Sequence, residues 1–410
     1  MTRTTTFRVG DWLTSNPETL ASWVNDLSQE VAEQKAPLHP VLEEFKTLIE
    51  HDPEIYVLIS AMITQVPHKY RQNPVGGLQI ENYDQMLLLI NAVLTRAPEF
   101  SESELVILPL TAILDWSMGT SAGFAAFLNP KINAMFEKIL NVWCEFLDSE
   151  KSLYVLNESD KGWMCQAAQV KIGIGQYKHS PEKPFWGFKS WNDFFTREFK
   201  EGERPVAEPD NDKVIVSACE SRPYRISTNV QKYSNFWLKS QPYSLEFMLA
   251  GDECVEQFVG GTVYQAFLSP YNYHRWHSPV SGTIQKAWVQ KGTYYSEAPA
   301  EGLNPDELDI SQSYIAQVAT RAIFLLESDD PVIGLMCFVP VGMAEVSSCQ
   351  ITVKPGQRVK KGDPLGYFQF GGSTHCLIFR PGAIAQFTLN AIPEPDSQVV
   401  LVNSKIALAN

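Results

Sequence analysis

Apolar positions recur at spacings of three and four through the first part of the chain. The clearest stripe is Ile132, Met135, Phe136, Ile139, Leu140, Trp143, Phe146 and Leu147, which predicts one amphipathic helix. Pro130 stands just ahead of it, where a helix start tolerates proline. Similar stripes over Leu20–Val31, Val41–Ile49, Tyr83–Leu94 and Trp163–Val170 predict further core-facing helices. A Pro/Gly/Lys-rich stretch from Lys178 to Lys189 reads as a linker. A short helix, Trp191 to Phe199, follows and is broken by Gly202, Arg204 and Pro205. From about Lys213 the pattern becomes short β-rich runs separated by Gly, Pro, Asn and Asp: Val214–Val216, Gly261–Leu268, Gly282–Val289, Ala322–Leu326, Val332–Val341, Glu345–Val353 and Ala383–Leu389. The expected fold class is therefore α+β, with a helical N-terminal domain over residues 1–180 and a β-dominated domain over residues 190–410.

Composition narrows the function classes. The 410 residues are 44% hydrophobic, enough for a sizeable core. A formal net charge of −14 argues against nucleic acid as a partner and against a broadly basic, lipid-binding surface. The 7 cysteines are scattered, with no CxxC pair, which suits free thiols in a reducing compartment. The N-terminal residues lack an apolar stretch of signal-peptide length. The longest apolar run, Val332 to Ala344, is interrupted by Gly334, Pro340 and Gly342. It is shorter than the roughly 20 residues that span a bilayer and predicts a buried strand pair. A cytoplasmic protein without a stable membrane anchor is expected. Glu297 to Gln312, acidic with two prolines, reads as a surface loop.

Three constellations carry chemistry: Gly371-Gly372-Ser373-Thr374, the run Tyr273 to Pro279, and the run Val216 to Arg222. Ser373 follows two glycines and precedes a strand-like run, His375 to Phe379. A tight bend there would hold its hydroxyl close to the Gly372 carbonyl, an arrangement that lets the chain attack itself. His274 and His277 lie three apart. Their spacing is compatible with ordinary hydrogen bonding, with a zinc site taking Glu220 as a third ligand, or with acid–base work. No cysteine or further histidine falls at metal-ligand spacing nearby, so no metal is expected. A serine hydroxyl needs a neighbouring base, and a carboxylate can orient an imidazole. Glu220, His277 and Ser373 would supply such a set.

Gly-Tyr-Phe-Gln-Phe-Gly-Gly-Ser-Thr (366–374), Tyr-His-Arg-Trp-His-Ser-Pro (273–279) and Asn-Asp-Phe-Phe-Thr-Arg (192–197) together resemble the phosphatidylserine decarboxylase family of pyruvoyl enzymes. The resemblance covers Trp191 to the C-terminus. The helical half is similar to the extra domain of a soluble subgroup that includes a fungal L-tryptophan decarboxylase. The resemblance implies that Ser373 attacks the carbonyl of Gly372 and that the peptide becomes an ester, which eliminates and hydrolyses. The larger chain then ends at Gly372 and the smaller, residues 373–410, begins with a pyruvoyl cofactor derived from Ser373. Its ketone forms a Schiff base with a substrate amine and accepts electrons as carbon dioxide leaves. By the same resemblance His277 is the base for self-cleavage, oriented by Glu220, and His274 the acid that reprotonates the product.

Some positions depart from the family. Ala218-Cys219-Glu220-Ser221 replaces the usual Pro-Ala-Asp-Gly, so the acid is one methylene longer. Glu345 enters a segment that is usually apolar and glycine-rich; it is a candidate substrate-binding residue, or else pairs with a nearby arginine or faces water. Both features resemble the tryptophan-decarboxylase subgroup. His375 also departs, and its role is left open with a structural one favoured. The leading expectation is a decarboxylase of a free aromatic L-amino acid, tryptophan first, with a small-molecule substrate and no nucleic-acid partner. The alternatives are phosphatidylserine decarboxylation and an uncleaved binding protein. The oligomeric state is open.

Overall fold

The computed structural model describes residues 17–34, 36–65, 80–102, 107–234, 243–297, 311–343, 345, 348–394 and 396–410. Its first part is helical: α1 (Pro17–Gln34), α2 (Pro40–His51), α3 (Pro53–Thr64), α4 (Tyr83–Val93), α5 (Pro109–Met118), α6 (Ser121–Leu128), α7 (Pro130–Leu147), α8 (Gln166–Ile172) and α9 (Trp191–Phe195). Local chemistry starts several of these helices. Asp52, Asn82, Thr120 and Asn129 each cap with a side-chain oxygen the N–H groups a first turn leaves unpaired. Proline follows directly at Pro53 and Pro130, where its missing N–H costs nothing. The predicted stripe of α7 is buried at Ile132, Met135, Phe136, Ile139, Leu140, Trp143 and Leu147.

The later part is built from β1 (Val214–Val216), β2 (Arg222–Val230), β3 (Gly261–Leu268), β4 (Arg275–His277), β5 (Gly282–Gln290), β6 (Arg321–Ser328), β7 (Leu335–Met343), β8 (Ser348–Ile351), β9 (Arg358–Val359), β10 (Pro364–Gln369), β11 (Gly372–Phe379), β12 (Ile384–Phe387) and β13 (Lys405–Ala409). Short helices α10 (Leu245–Met248) and α11 (Gln312–Val318) interrupt it. A seven-stranded sheet has the order β2-β3-β11-β7-β6-β5-β9, and two three-stranded sheets have the orders β4-β10-β8 and β1-β13-β12. The fold is α+β.

β11 sits inside the large sheet, antiparallel to β3 on one side and β7 on the other. Alternation along a strand sends Ser373, His375, Leu377 and Phe379 to one face and Thr374, Cys376 and Ile378 to the other. Leu377 and Phe379 join a core between the large sheet and the two small ones. Cys376 and Ile378 join a second core that is continuous with the helical region. The helical half and the sheet thus share one apolar interior.

Several expectations change in detail. Ser373 is not at a bend: it is paired with Leu268 and Gly342 within the ladder. The break in regular structure falls earlier, at Phe370 and Gly371, where Gly371 takes φ 139°, a backbone that side-chain-bearing residues rarely adopt. Val332 to Ala344 gives one strand, β7, instead of a pair, because its partners β6 and β11 come from other parts of the chain. The stretch 178–189 is mostly exposed, as a linker would be, but it is anchored by the buried Trp186 and flanked by a bridge between Tyr177 and Phe199. The helix expected to reach Phe199 stops at Phe195. Most of the acidic 297–312 segment lies outside the described residues, although Glu297 and Gln312 at its ends are buried.

Candidate active site

Ser373 is wholly buried, and its Oγ lies 3.4 Å from Nδ1 of His274. His274 sits just before β4, in the sheet that packs below the Ser373 face. Its Nε2 is 3.0 Å from the carbonyl oxygen of Ser269. A carbonyl only accepts, so Nε2 carries the proton and Nδ1 is left as an acceptor facing the serine hydroxyl. Burial, with the Arg197 cation nearby, pushes His274 down to about 3, so the ring is neutral at physiological pH. The Phe195 ring stacks on the imidazole with centroids 4.2 Å apart. The site therefore holds a hydroxyl, an unprotonated acceptor and an apolar cover.

His277 is oriented the other way. Its Nδ1 lies 2.7 Å from the Gly362 carbonyl and must donate there, and its Nε2 accepts from the Tyr273 hydroxyl at 2.8 Å. Both ring nitrogens are occupied, and burial lowers its pKa. Glu220 is likewise committed. Arg204 grips it through Nε at 3.0 Å and Nη2 at 2.6 Å, and the Val402 N–H donates to its Oε2 at 2.6 Å. Among the described residues no hydrogen bond joins Glu220 to His277 or either of them to Ser373. The expected Glu220–His277–Ser373 set is not assembled in this structure. The longer glutamate reaches Arg204 and the Val402 backbone, and Tyr273 takes the nitrogen that His277 would offer.

Glu345 is fully buried. Its Oε1 accepts from the backbone N–H of Leu110 and, at 2.8 Å, of Thr111, at the start of α5. Burial drives its pKa well up, partly offset by those two N–H groups. Among the described residues its Oε2 has no hydrogen-bond partner, nor do the Tyr295 hydroxyl and Thr111 Oγ1. Tyr295 is close enough for the Glu345 charge to raise its own pKa, behind the larger effect of burial. Glu345 follows β7, whose Met343 is paired with Gly372. Neither structural expectation for Glu345 is met: it does not face water, and among the described residues it forms no ion pair with arginine.

His375 lies on the Ser373 face with both ring nitrogens unpartnered, and burial lowers it to about 3. Nearby, the Tyr264 hydroxyl is also unpartnered, 6.1 Å away between ring centroids. Among the described residues no group of three or more His, Cys, Asp or Glu side chains converges as a metal site. No helix is long and apolar enough to cross a membrane among those residues.

Sequence reasoning assigned no role to Phe195, Phe370, Tyr273 or Arg204. The first signal was available, since Phe195 lies in the Asn-Asp-Phe-Phe-Thr-Arg run. Arg204 was read only as a helix breaker.

Residues 39–172 match the family model "Phophatidylserine decarboxylase" (PSDC) and residues 191–401 match "Phosphatidylserine decarboxylase" (PS_Dcarbxylase). The chain belongs to the phosphatidylserine decarboxylase family. It is a decarboxylase, a carboxy-lyase. It is 33% identical to the L-tryptophan decarboxylase of Psilocybe cyanescens over 98% of this chain and 94% of that protein. Decarboxylase iboD of Amanita muscaria is 40% identical over 68% of this chain and 86% of its own length. The phosphatidylserine decarboxylase proenzyme of Chlamydia pneumoniae is 32% identical over 54% of this decarboxylase and 72% of its own length.

Proposed function

We propose that this decarboxylase acts on a free aromatic L-amino acid, L-tryptophan first, giving tryptamine and carbon dioxide, after cleaving itself between Gly372 and Ser373. The observation that carries the reading is the buried Ser373 hydroxyl facing the neutral acceptor nitrogen of His274. The near full-length similarity to an L-tryptophan decarboxylase, helical half included, supports the substrate class.

In the first step the Ser373 Oγ–H proton passes to His274 Nδ1 as Oγ bonds to the Gly372 carbonyl carbon. The Gly372–Ser373 C–N bond then breaks, the proton goes to the Ser373 nitrogen, and an ester links the two residues. Loss of the Ser373 α-proton and departure of the Gly372 carboxylate follow. Water then replaces the nitrogen, releasing ammonia and leaving a pyruvoyl group on residues 373–410. The residues present fit that group, because it is made from Ser373 itself, which is wholly buried beside the His274 ring on which Phe195 stacks. The pyruvoyl ketone supplies an electron sink for an amine substrate.

In this reading His274 handles the proton at Ser373 and afterwards at the product carbon. His277 and Glu220 act around it, Glu220 by tying the Val402 backbone of the small chain to Arg204 of the large one. Glu345 is the candidate contact to the substrate in this reading, supported by its buried, unpartnered Oε2. Residues 1–180 form the helical part and 190–410 the catalytic part of a cytoplasmic enzyme. The second reading, phosphatidylserine decarboxylation, is favoured by the names of the two family models and by relatives that match the catalytic half. Purified protein is incubated with L-tryptophan or with phosphatidylserine vesicles. Tryptamine is expected, and phosphatidylethanolamine as the sole product would overturn the substrate.

A further inference from the structure

The segment just before the scissile bond is gripped by the helical half. Phe370 is almost fully buried, and its ring meets Trp143 of α7 at 5.4 Å, Trp191 of α9 at 5.7 Å and Phe195 at 5.0 Å, all edge-to-face. Gln369 Nε2 donates to Asp148 Oδ1 at 3.4 Å, and Asn192 Nδ2 donates to the same oxygen at 2.9 Å. Asp148 is the residue that ends α7. The same helix reaches the catalytic part near its other end, where Asn133 Oδ1 accepts from the Tyr294 N–H at 3.2 Å. Phe195 touches both Phe370 and His274, so one aromatic cluster fixes the strand that carries the nucleophile and the ring that accepts its proton.

We propose that α7, through Trp143 and Asp148, is a maturation clamp: it holds Gln369–Phe370 so that Ser373 Oγ can reach the Gly372 carbonyl carbon. The inference rests on the self-cleavage reading above. Trp143 and Asp148 are positioning residues. They touch no reacting atom and act through Phe370, Phe195 and Gly371. The step they serve is the acyl shift already balanced above, in which Oγ–C bond formation is matched by C–N cleavage and the proton moves from Oγ to nitrogen by way of His274. Placement of reacting atoms is steeply felt, a shift on the order of 1 Å costing about a hundredfold. A rigid grip next to a flexible Gly371-Gly372 pair is therefore where rate is decided.

The test follows the full-length precursor in a pulse-labelled cell-free synthesis, by denaturing gel, at a temperature well below every variant's melting point. Trp143→Ala is expected to lengthen the precursor half-life at least about tenfold, and Trp143→Phe, which restores an edge-to-face ring, to return it close to that of the unmodified chain. Asp148→Ala, which leaves the core filled, is expected to slow cleavage about threefold and decides the matter if Trp143→Ala does not fold. Ile59→Ala, a buried core change on α3, which packs chiefly on α6, serves as the control for lost stability alone. Decarboxylation per mole of cleaved chain should be unchanged in all four. Cleavage of Trp143→Ala and Asp148→Ala at the unmodified rate, or equal slowing by Ile59→Ala, overturns the clamp while leaving the function intact. An unmodified chain that never cleaves overturns the function reading and the clamp with it.

Discussion

Two buried polar regions lie close together in this molecule and differ in how fully they are satisfied. Around Glu220 and His277 the carboxylate and the ring are fully engaged: Arg204 and the Val402 N–H hold the carboxylate, and Tyr273 and Gly362 hold the ring. Along the Ser373 face the accounts are open. The contact from Ser373 to His274 is long at 3.4 Å, and His375 and the Tyr264 hydroxyl have no partner. A saturated buried network gives rigidity, because each group would lose more by moving than it could gain. An under-satisfied one holds groups in reserve for atoms that arrive during reaction. On the proposed reading, the difference separates the residues that would hold the two chains together from those that would cut them apart.

The sharpest break of that comparison is Ser373→Ala. It removes the proposed nucleophile and cofactor precursor, so a single uncleaved band without decarboxylase activity is expected on a denaturing gel. His274→Ala comes next. Loss of the proton acceptor should slow self-cleavage by about 100-fold or more, whereas His277→Ala should retain cleavage within about tenfold of the unmodified rate. The reverse order would move the base to His277. Glu220→Ala leaves Arg204 buried without its partner and should cost about 3 kcal/mol, read by denaturant unfolding of an uncleavable background.

The pH dependence has a defined sign. His274 and His375 have folded pKa values near 3, against the usual 6.5, so the unfolded chain binds protons that the folded chain refuses. Their contribution to stability is full above pH 6.5 and is lost as pH falls from there towards 3. The melting temperature should drop through that window, and His375→Leu should flatten the drop. An unaltered acid profile in His375→Leu would show that the ring is not held neutral by burial. The smallest effect is expected at the solvent-exposed pair Lys138–Glu44, where Lys138→Ala should change stability by less than about 0.5 kcal/mol.

Much of this was legible from local pattern. The α7 stripe, the change of period near residue 213 and the Gly-Gly-Ser-Thr run each depend on neighbours in sequence, which a reader of the chain can see. The partners of Glu220 could not be seen. Arg204 lies close by in sequence, but Val402 is 182 residues away, and only folding shows that they outcompete His277. The same holds for Glu345, whose acceptance of the Leu110 and Thr111 N–H groups spans both halves of the chain. Ser373 was expected at a bend because two glycines precede it. The ladder with β3 and β7 extends through it, and only Gly371 bears the unusual backbone.

β11 begins at Gly372, between β3 and β7, and the proposed cut falls after its first residue. The smaller product would then contribute the middle strand of a sheet whose neighbours belong to the larger one. The severed pieces would stay interlocked without a covalent link, and each would lack the other as a template once separated. Folding must be complete before the bond is broken, and the order cannot be reversed. A mature molecule that is once denatured would have lost the instructions for its own recovery, so its working lifetime would be set when the precursor first folds.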